Sequence, residues 1–425
     1  MRRTKKYDHT PFDRFRIPPK QNPFFLPFIW LLCQGVAWKN NLRITRTNMK
    51  GLKPPYLVLA THQAFMDFCI PPLVFFPHAS NSVSELEGFE YYGEWLYRQA
   101  GCLGTRKFTN DLALVRNIRR VIQRQGILIL YPEARYANVG TQSAIPPSVG
   151  KLAKLLKVPV VTLNMHGNYL QSPIWNLRKR KGVPLLTEVE QLLTPAQLDR
   201  LSAEDIQQRI QQVLSYDEYA WQKEQGISIR SPFRCEGLHL VLYQCRSCHK
   251  ENQMLTKGAR LYCEHCQAVW EMTEYGELRC LEEGGEAPNV ENTPLHIPDW
   301  YEWQRAQVIQ EIENGAYALN CQVIIEALPN ARNFVPMGQG ELLHTAEGFC
   351  LSYCEPETGN PCTLFFPAKD SFSIHTEYDY RGKGPCVTLS TLDNTFFLFP
   401  LDAGVNVTKI QFATERLYQL ALGQG

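Results

Sequence analysis

The sequence lacks an apolar run long enough to cross a bilayer as a single helix. Its most apolar stretch, residues 24–38, has 15 residues and is interrupted by Pro27, Gln34 and Gly35, whereas a spanning helix needs about 20. No small-residue cleavage site closes this stretch, which argues against a signal peptide. The sequence also lacks an excess of one charge, because 44 Lys and Arg balance 42 Asp and Glu to a net charge of +2. We therefore expect no nucleic-acid partner.

Residues 1–50 have a composition that favours binding to a membrane surface. A basic region is followed by the apolar, aromatic stretch. Basic side chains outnumber acidic ones at the start of this segment: Arg2, Arg3, Lys5, Lys6, Arg14, Arg16 and Lys20 against Asp8 and Asp13. Such a composition is typical of a segment that lies in the interface of an anionic membrane. A buried core helix is the alternative. We expect a cytoplasmic protein that attaches peripherally to the inner face of the cell membrane.

The 14 cysteines are spread along the chain and include two C-x2-C pairs. Cys245 with Cys248 and Cys263 with Cys266 form the pattern that tetrahedral structural Zn²⁺ uses. Residues 240–244, 261–262 and 269–272 are predicted strands, so residues 235–281 are predicted to form a zinc ribbon. Four sulfur ligands leave no open coordination position, so the metal is expected to be structural. Four reduced core cysteines are the alternative.

Zinc ribbons often bind nucleic acid, which gives a second interpretation of this unit. Its basic side chains, Arg246, Lys250, Lys257 and Arg260, are offset by Glu251, Glu264 and Glu271. No basic stripe results, so the ribbon is expected to be an interaction or spacer module.

The stretch with the clearest chemistry begins with the apolar run at residues 56–60, which predicts a buried strand. His62 follows this strand almost at once, and Asp67 comes five residues later in a predicted helical turn. Strand ends in α/β folds open onto the ligand crevice. Asp67 is near enough to orient the imidazole while the other ring nitrogen accepts a proton. A capping Asp beside an unrelated His is the alternative.

Alternating helix and strand patterns continue to about residue 220 and predict a mostly parallel sheet with its loops at one edge. Arg106 follows a glycine-marked segment, and Glu133 and Arg135 follow the next buried strand. With His62, these residues supply a base, two cations and an anion at one predicted edge. Such a site suits a substrate with a hydroxyl to deprotonate and a phosphate to hold. Individually, either arginine is more often a surface ion-pair partner.

Four motifs in this region resemble the conserved blocks of the glycerolipid acyltransferases, the lysophosphatidate and glycerol-3-phosphate acyltransferase superfamily. The motifs are His-Gln-Ala-Phe-Met-Asp from His62 to Asp67, Gly104-Thr105-Arg106, Tyr131-Pro132-Glu133-Ala134-Arg135 and Val158-Pro159-Val160-Val161. They occur in order within roughly residues 25–220, about half of the chain. Two features differ from the family pattern: Ala134 stands where the family has Gly, and Arg135 follows Glu133 by two positions and not three.

The resemblance implies an acyltransferase of the 1-acylglycerol-3-phosphate O-acyltransferase kind in phospholipid biosynthesis. The acyl donor would be acyl-coenzyme A or acyl carrier protein, and the acceptor a glycerol phosphate or a lysophospholipid. His62 would be the base and Asp67 its orienting group. Arg106, with Arg135, would bind phosphate, and Glu133 would hold the acceptor hydroxyls or its own loop.

The predicted architecture is therefore an α/β acyltransferase domain at residues 51–230, a zinc ribbon, and a β-rich domain at residues 295–425. The last domain shows several short strand patterns and a predicted C-terminal helix from about residue 406 to 422. A small barrel closed by such a helix resembles a pleckstrin-homology-like domain. The competing interpretation of the whole chain is a catalytically inactive adaptor at the membrane, which the His62 and Asp67 pair disfavours.

Overall fold

The first unit of the computed structural model, which describes residues 8–282 and 294–423, is a seven-stranded sheet covered by helices. Its strands are β1 (Arg43–Thr47), β2 (Tyr56–Ala60), β3 (Ser80–Glu85), β4 (Cys102–Thr105), β5 (Ile127–Leu130), β6 (Val160–His166) and β7 (Leu186–Leu193), in the order β1-β7-β6-β2-β5-β3-β4. All neighbours are parallel except β6 and β7. The predicted mostly parallel sheet is confirmed. The acidic, glycine-rich stretch at residues 282–294, which the sequence predicts to be a linker between the ribbon and the last unit, lies mainly outside the described residues.

Within the described residues, ten α-helices belong to this first unit. They are α1 (Leu26–Lys39), α2 (Ile70–Phe75), α3 (Leu86–Tyr92), α4 (Glu94–Gln99), α5 (Leu112–Gln123), α6 (Ser148–Leu156), α7 (Asn168–Gln171), α8 (Pro195–Arg200), α9 (Ala203–Val213) and α10 (Glu218–Glu224). The central strand β2 is buried on both faces, since Leu57 packs in one apolar cluster and Val58 in another on the opposite face. This two-sided burial explains why β2 is a continuous apolar run and not an alternating one.

The N-terminal segment is tied to this sheet. Strand β1, within the predicted membrane segment, pairs with β7 at the sheet edge. Helix α1 buries Leu26 and Cys33 and exposes Leu31, Leu32 and Trp38. Within the described residues, no helix combines the length and apolar character needed to cross a membrane.

The second unit is a five-stranded antiparallel sheet of order β12-β11-β10-β9-β8. Its strands are β8 (Met254–Lys257), β9 (Arg260–Cys263), β10 (Val269–Met272), β11 (Glu277–Glu282) and β12 (Leu295–His296). The strand predicted at residues 240–244 is wrong, because a short 3₁₀ helix, Leu238–Leu240, and a turn stand there. The backbone of Gln244 is instead bound by two side chains of the next helix, Gln304 and Trp300.

The third unit is one seven-stranded antiparallel sheet flanked by α11 (Ile297–Glu313) and α12 (Val407–Ala421). Its strands are β13 (Leu319–Ala327), β14 (Val335–Thr345), β15 (Gly348–Cys354), β16 (Pro361–Pro367), β17 (His375–Glu377), β18 (Cys386–Ser390) and β19 (Thr395–Pro400), in the order β16-β15-β14-β13-β19-β18-β17. The predicted C-terminal helix is present, with Asn406 as its N-cap. Strands β16 and β17 are the two edges, so these strands form an open sheet and not the expected closed barrel. The likeness to a pleckstrin-homology domain stays a prediction.

The three units share one apolar core. A single cluster joins Tyr169 and Tyr219 of the first unit, Trp270 of the second, and Trp300 and Val323 of the third. The rings of Trp270 and Trp300 are 4.9 Å apart in an edge-to-face arrangement, which favours specific packing beyond area burial. The three units therefore pack against one another around this shared core.

Candidate active site

The candidate site lies at the carboxyl edge of the parallel strands. His62 follows β2, Glu85 ends β3, Arg106 follows β4, and Glu133 follows β5, while Asn168 follows β6. Because β2 to β6 all run in the same direction, these five positions meet at one edge. The single edge predicted for His62, Arg106 and Glu133 is therefore present.

The His62 imidazole is fixed by Asp67. Its Nδ1 lies 3.1 Å from Oδ2 of Asp67, whose side chain is fully buried. The His62 side chain remains 22% exposed, and its ring lies 4.4 Å from the ring of Tyr131 and 4.5 Å from that of Tyr136, measured between centroids. Within the described part of the chain, Nε2 of His62 has no hydrogen-bond partner. This is the nitrogen that a base needs free.

Asp67 is itself held by three further donors. The backbone N–H groups of Gln63 and Ala64 donate to Oδ2 at 2.6 and 3.1 Å. The side-chain amide of Asn168 donates to Oδ1 at 2.6 Å. A buried carboxylate with these donors is fixed in place. Asn168 was missed from the sequence, although a polar residue just after a buried strand was a usable signal.

Glu133 supports the loop that carries His62. Its carboxylate accepts from the backbone N–H of His62 at 3.0 Å, from that of Ser143 at 2.7 Å and from the Tyr216 hydroxyl at 3.1 Å. Burial raises the pKa of Glu133 to about 7. Of the two roles expected for Glu133, these contacts match the support of its own loop. Ala134, which stands where the resembled motif has glycine, adopts a left-handed φ of 55°, a conformation that glycine takes at lower cost.

Arg106 is bound by the third unit. Its Nη1 donates to the carbonyl of Leu328 at 2.8 Å and to the Thr395 hydroxyl at 2.9 Å, and its Nη2 donates to the carbonyls of Pro329 at 2.8 Å and Asp393 at 3.0 Å. All four acceptors are neutral oxygens. Burial lowers the pKa of Arg106 to about 10. Its predicted role in phosphate binding therefore stays a prediction, and these contacts could not be foreseen from the sequence.

Arg135 is also bound by the third unit. Its Nη1 donates to the Ser373 hydroxyl at 2.9 Å and to the Ile374 carbonyl at 3.2 Å, and its Nη2 lies 2.6 Å from Oε1 of Glu415. Although burial opposes it, the charges of Arg135 and Arg305 lower the pKa of Glu415 to about 2. Both predicted phosphate ligands are thus placed at the joint between the first and third units.

A cluster of ionisable groups at this joint was also missed. Lys107 Nζ lies 2.6 Å from Oε2 of Glu85 and 3.2 Å from Nδ1 of His375, whose Nε2 lies 3.0 Å from Oε1 of Glu377. Although burial opposes it, the charges of Lys107, His375 and His62 lower the pKa of Glu85. The cluster therefore lies within electrostatic range of His62. Lys107 and His375 are 268 positions apart, so no local pattern could have paired them.

The four predicted metal ligands converge on one point. Sγ of Cys245 lies 3.7 Å from Sγ of Cys266, and the same distance separates Cys248 from Cys263. All four sulfur atoms lie within 4.8 Å of one another. Zinc–sulfur bonds of about 2.3 Å in a tetrahedron place sulfurs about 3.8 Å apart. The four cysteines can therefore hold one tetrahedral metal ion.

Both cysteine knuckles have the same backbone shape. His249 donates its N–H to the Cys245 carbonyl at 2.9 Å, and Gln267 donates to the Cys263 carbonyl at 2.9 Å. Both donors have a left-handed φ, 60° for His249 and 65° for Gln267. Two matching turns that present cysteines to one point are hard to explain by core packing alone.

Comparison with known proteins gives a weak likeness to solved structures. No family model matches the sequence, and no curated protein is significantly similar to it. Among solved structures, the chain is similar to the 1-acyl-sn-glycerophosphate (LPA) acyltransferase PlsC from Thermotoga maritima. The two share 17% sequence identity over 45% of this chain and 77% of the other, with a TM-score of 0.38. A likeness at this level decides neither the fold nor the activity of this chain.

Proposed function

We propose that the chain is an acyltransferase that moves a fatty acyl group from a thioester to a hydroxyl of a glycerol phosphate or lysophospholipid. The observation that carries this proposal is the His62 and Asp67 pair. Asp67 is buried and held by four donors, including His62, while Nε2 of His62 is left free at a partly exposed edge. The motif resemblance of residues 62–67 and 131–135 to glycerolipid acyltransferases supports the same chemistry.

The pair suits direct transfer without a covalent enzyme intermediate. Nε2 of His62 accepts the proton of the acceptor hydroxyl as its oxygen attacks the thioester carbonyl. Asp67 stabilises the imidazolium through Nδ1. The C–O bond forms, the C–S bond breaks, and the proton on His62 passes to the departing thiolate. Acyl-coenzyme A and acyl carrier protein are the proposed donors.

The acceptor phosphate is proposed to bind Arg106 and Arg135, since guanidinium groups pair strongly with phosphate. Glu133 is proposed to position His62 by accepting the backbone N–H of that residue. In this role Glu133 acts through the loop and not on the acceptor directly.

We propose that an aromatic face beside this edge rests on an anionic membrane. Exposed side chains from α1 and the turn before it, from the 3₁₀ helix Phe65–Cys69 and from α3 and α4 form this membrane face: Phe24, Phe28, Leu31, Leu32, Trp38, Phe65, Phe68, Tyr91, Tyr92, Trp95 and Leu96. Ring contacts join its parts, with Phe25 6.0 Å from Trp95 and Phe65 6.3 Å from Tyr92. Contiguous exposed apolar patches are typical of interaction sites. Attachment to the inner face of the cell membrane is part of this proposal.

The metal held by Cys245, Cys248, Cys263 and Cys266 is proposed to be Zn²⁺ in a structural role. Two of these cysteines belong to the core that the three units share. The ion would therefore support the joint between units and take no part in acyl transfer.

The test is thiol release from acyl-coenzyme A and from acyl carrier protein, with glycerol 3-phosphate and lysophosphatidate as separate acceptors. Wild-type protein is compared with His62→Ala and with His78→Ala, an exposed histidine outside the site. Release that depends on the acceptor and disappears only in His62→Ala is the expected result. Release that survives His62→Ala would remove His62 from the mechanism.

A second candidate function is a catalytically inactive adaptor. The binding of Arg106 and Arg135 by the third unit favours it, because the phosphate ligands then serve only to join domains. Absence of release with either donor and either acceptor would favour the adaptor.

A further inference from the structure

Both arginines proposed for the acceptor phosphate already donate from their two Nη atoms to the third unit. Arg106 is held by the segments at residues 328–329 and 393–395, and Arg135 by Ser373, Ile374 and Glu415. Two separate loops of the first unit thus use the same residue type to reach the same neighbour. A phosphate cannot use these donors while the contacts persist.

There is also no room for a phosphate at Arg106. The cavity between Arg106, Lys107, Thr395 and Phe397 measures about 10 Å³, which is space for about one water molecule. The third unit therefore blocks this ligand position by volume as well as by hydrogen bonding.

The contact at Arg106 is a poor match for a charged group. Its acceptors are three backbone carbonyls and one hydroxyl, and no carboxylate of the described residues bonds to it. The carboxylate of Asp393 acts on Arg106 through its charge but does not bond to it, and burying a cation without a directly bonded anion is costly. A phosphate dianion forms shorter and stronger hydrogen bonds with a guanidinium than neutral oxygens do. A phosphate can therefore displace the neutral oxygen atoms that now accept hydrogen bonds from Arg106.

We propose that the third unit and a phosphate monoester compete for Arg106 and Arg135, so that binding of the phosphate releases this edge of the third unit. The inference rests on the proposed function, because it takes the acceptor to carry a phosphate. A ligand that binds only the released form shifts the chain toward that form. By the same linkage, any change that loosens the contact strengthens phosphate binding.

Glu415→Gln tests this coupling in the full-length protein. Glu415 is the anionic partner of Arg135, so its neutralisation weakens the contact without changing Arg106 or Arg135. The matched control is Glu313→Gln, because Glu313 pairs with Arg416 at the exposed end of α11. Titration calorimetry at fixed ionic strength should show glycerol 3-phosphate bound at least tenfold tighter by Glu415→Gln than by wild type, and unchanged in Glu313→Gln.

Ser373→Ala gives an independent variant, since the Ser373 hydroxyl bridges Arg135 and Glu415. It should also bind glycerol 3-phosphate more tightly, by a smaller factor. Comparison of soluble glycerol 3-phosphate with lysophosphatidate in detergent micelles identifies whether the phosphate comes from a soluble ester or a lipid headgroup.

Hydrogen exchange measures directly whether the segments of the third unit are released from Arg106 and Arg135. Glycerol 3-phosphate or lysophosphatidate should speed exchange in peptides that cover residues 373–376 and 393–395. His62→Ala should show the same response although it transfers no acyl group, so failure of the proposed reaction would leave this result intact. Phosphate binding without faster exchange, no tighter binding by Glu415→Gln, or no binding of either phosphate would each overturn the proposal.

Discussion

At the scale of single residues, the candidate base depends on buried hydrogen bonds more than on His62 itself. Asp67 can orient His62 only if its own two oxygens are fixed. Two backbone N–H groups fix Oδ2, and Asn168 supplies the side-chain donor to Oδ1. Asn168 begins α7, which follows β6 directly, so the orientation of the base depends on the register of β2 with β6.

Asn168→Ala should therefore slow acyl transfer. It removes a charge-assisted hydrogen bond to a buried carboxylate, which is worth about 1.5–3 kcal/mol. If the lost hydrogen bond raises the activation free energy by this amount, kcat should fall roughly 10- to 100-fold. Steady-state thiol release measures the effect.

Asn164→Ala is the matched control for this change. Asn164 lies on β6, the strand that leads to Asn168, and its amide donates to the Val213 carbonyl away from the site. The control should keep kcat near the wild-type value. Equal losses in both variants would mean that damage to β6, and not the contact with Asp67, explains the result.

Glu133 should give stability a pH dependence near neutrality. Burial raises its pKa from 4.5 to about 7, so the folded protein holds this proton where the unfolded chain has lost it. The stabilisation is complete below about pH 4.5 and is lost as pH rises through about 7, to an extent on the order of 3 kcal/mol at most. Glu133→Gln, which is neutral throughout, should flatten this part of the pH profile.

Urea unfolding at a series of pH values measures this profile. The exposed Glu204→Gln in α9 is the control and should keep the wild-type slope. A slope between pH 4.5 and 7 that is the same in Glu133→Gln and wild type would show that Glu133 is ionised in the folded protein throughout this range.

At the scale of secondary-structure elements, the local sequence pattern predicted the strands and helices whose formation depends on nearby residues. The apolar run at residues 56–60 is strand β2, and the predicted terminal helix is α12 with Asn406 as its cap. Parallel strands then placed His62, Arg106 and Glu133 at one edge. These features depend on residue spacing and on burial by neighbouring helices, both of which the sequence carries.

Contacts between distant elements could not be predicted in this way. Arg106 binds a carbonyl 222 positions away, and Arg135 binds a carboxylate 280 positions away. Residues 240–244 have a strand-like pattern but form no strand: Gln244 makes an isolated β-bridge to Glu251, and two side chains of α11 bind its backbone. In each case a partner from another unit decides the outcome, and no local pattern encodes that partner.

The cysteine knuckles should carry about one zinc ion per chain. Cys248→Ser removes one of four ligands, so elemental analysis should show loss of most of the metal. Cys354→Ser, an exposed cysteine of β15, should keep it. Because Cys245 and Cys263 lie in the shared core, metal loss should also lower the melting temperature. Fully folded, metal-free wild-type protein would refute the zinc assignment.

At the scale of the whole molecule, the three units act on one another. The shared core includes residues from all three, and the first and third units also meet at Arg106, Arg135 and the Lys107 cluster. Changes in the third unit should therefore reach the His62 edge through direct contacts. The membrane face lies beside the same edge, since Phe65 is three positions after His62 and its ring lies near that of Tyr92.

The membrane face should bind anionic vesicles through α1. Replacing Leu31, Leu32 and Trp38 with Gln removes three exposed apolar side chains, of which each stabilises insertion by up to about 1.5–3 kcal/mol. Binding to phosphatidylserine-containing vesicles should weaken at least about tenfold in sedimentation. These side chains are exposed in the folded protein, so the melting temperature should change little.

Phe365→Gln gives the comparison, because Phe365 is an exposed aromatic residue on β16, outside the membrane face. It should bind vesicles as wild type does. Raising the salt concentration should weaken wild-type binding, because basic residues such as Lys39 at the end of α1 attract the anionic surface. Vesicle binding that is the same in the triple variant and wild type would mean that the aromatic face meets a different partner.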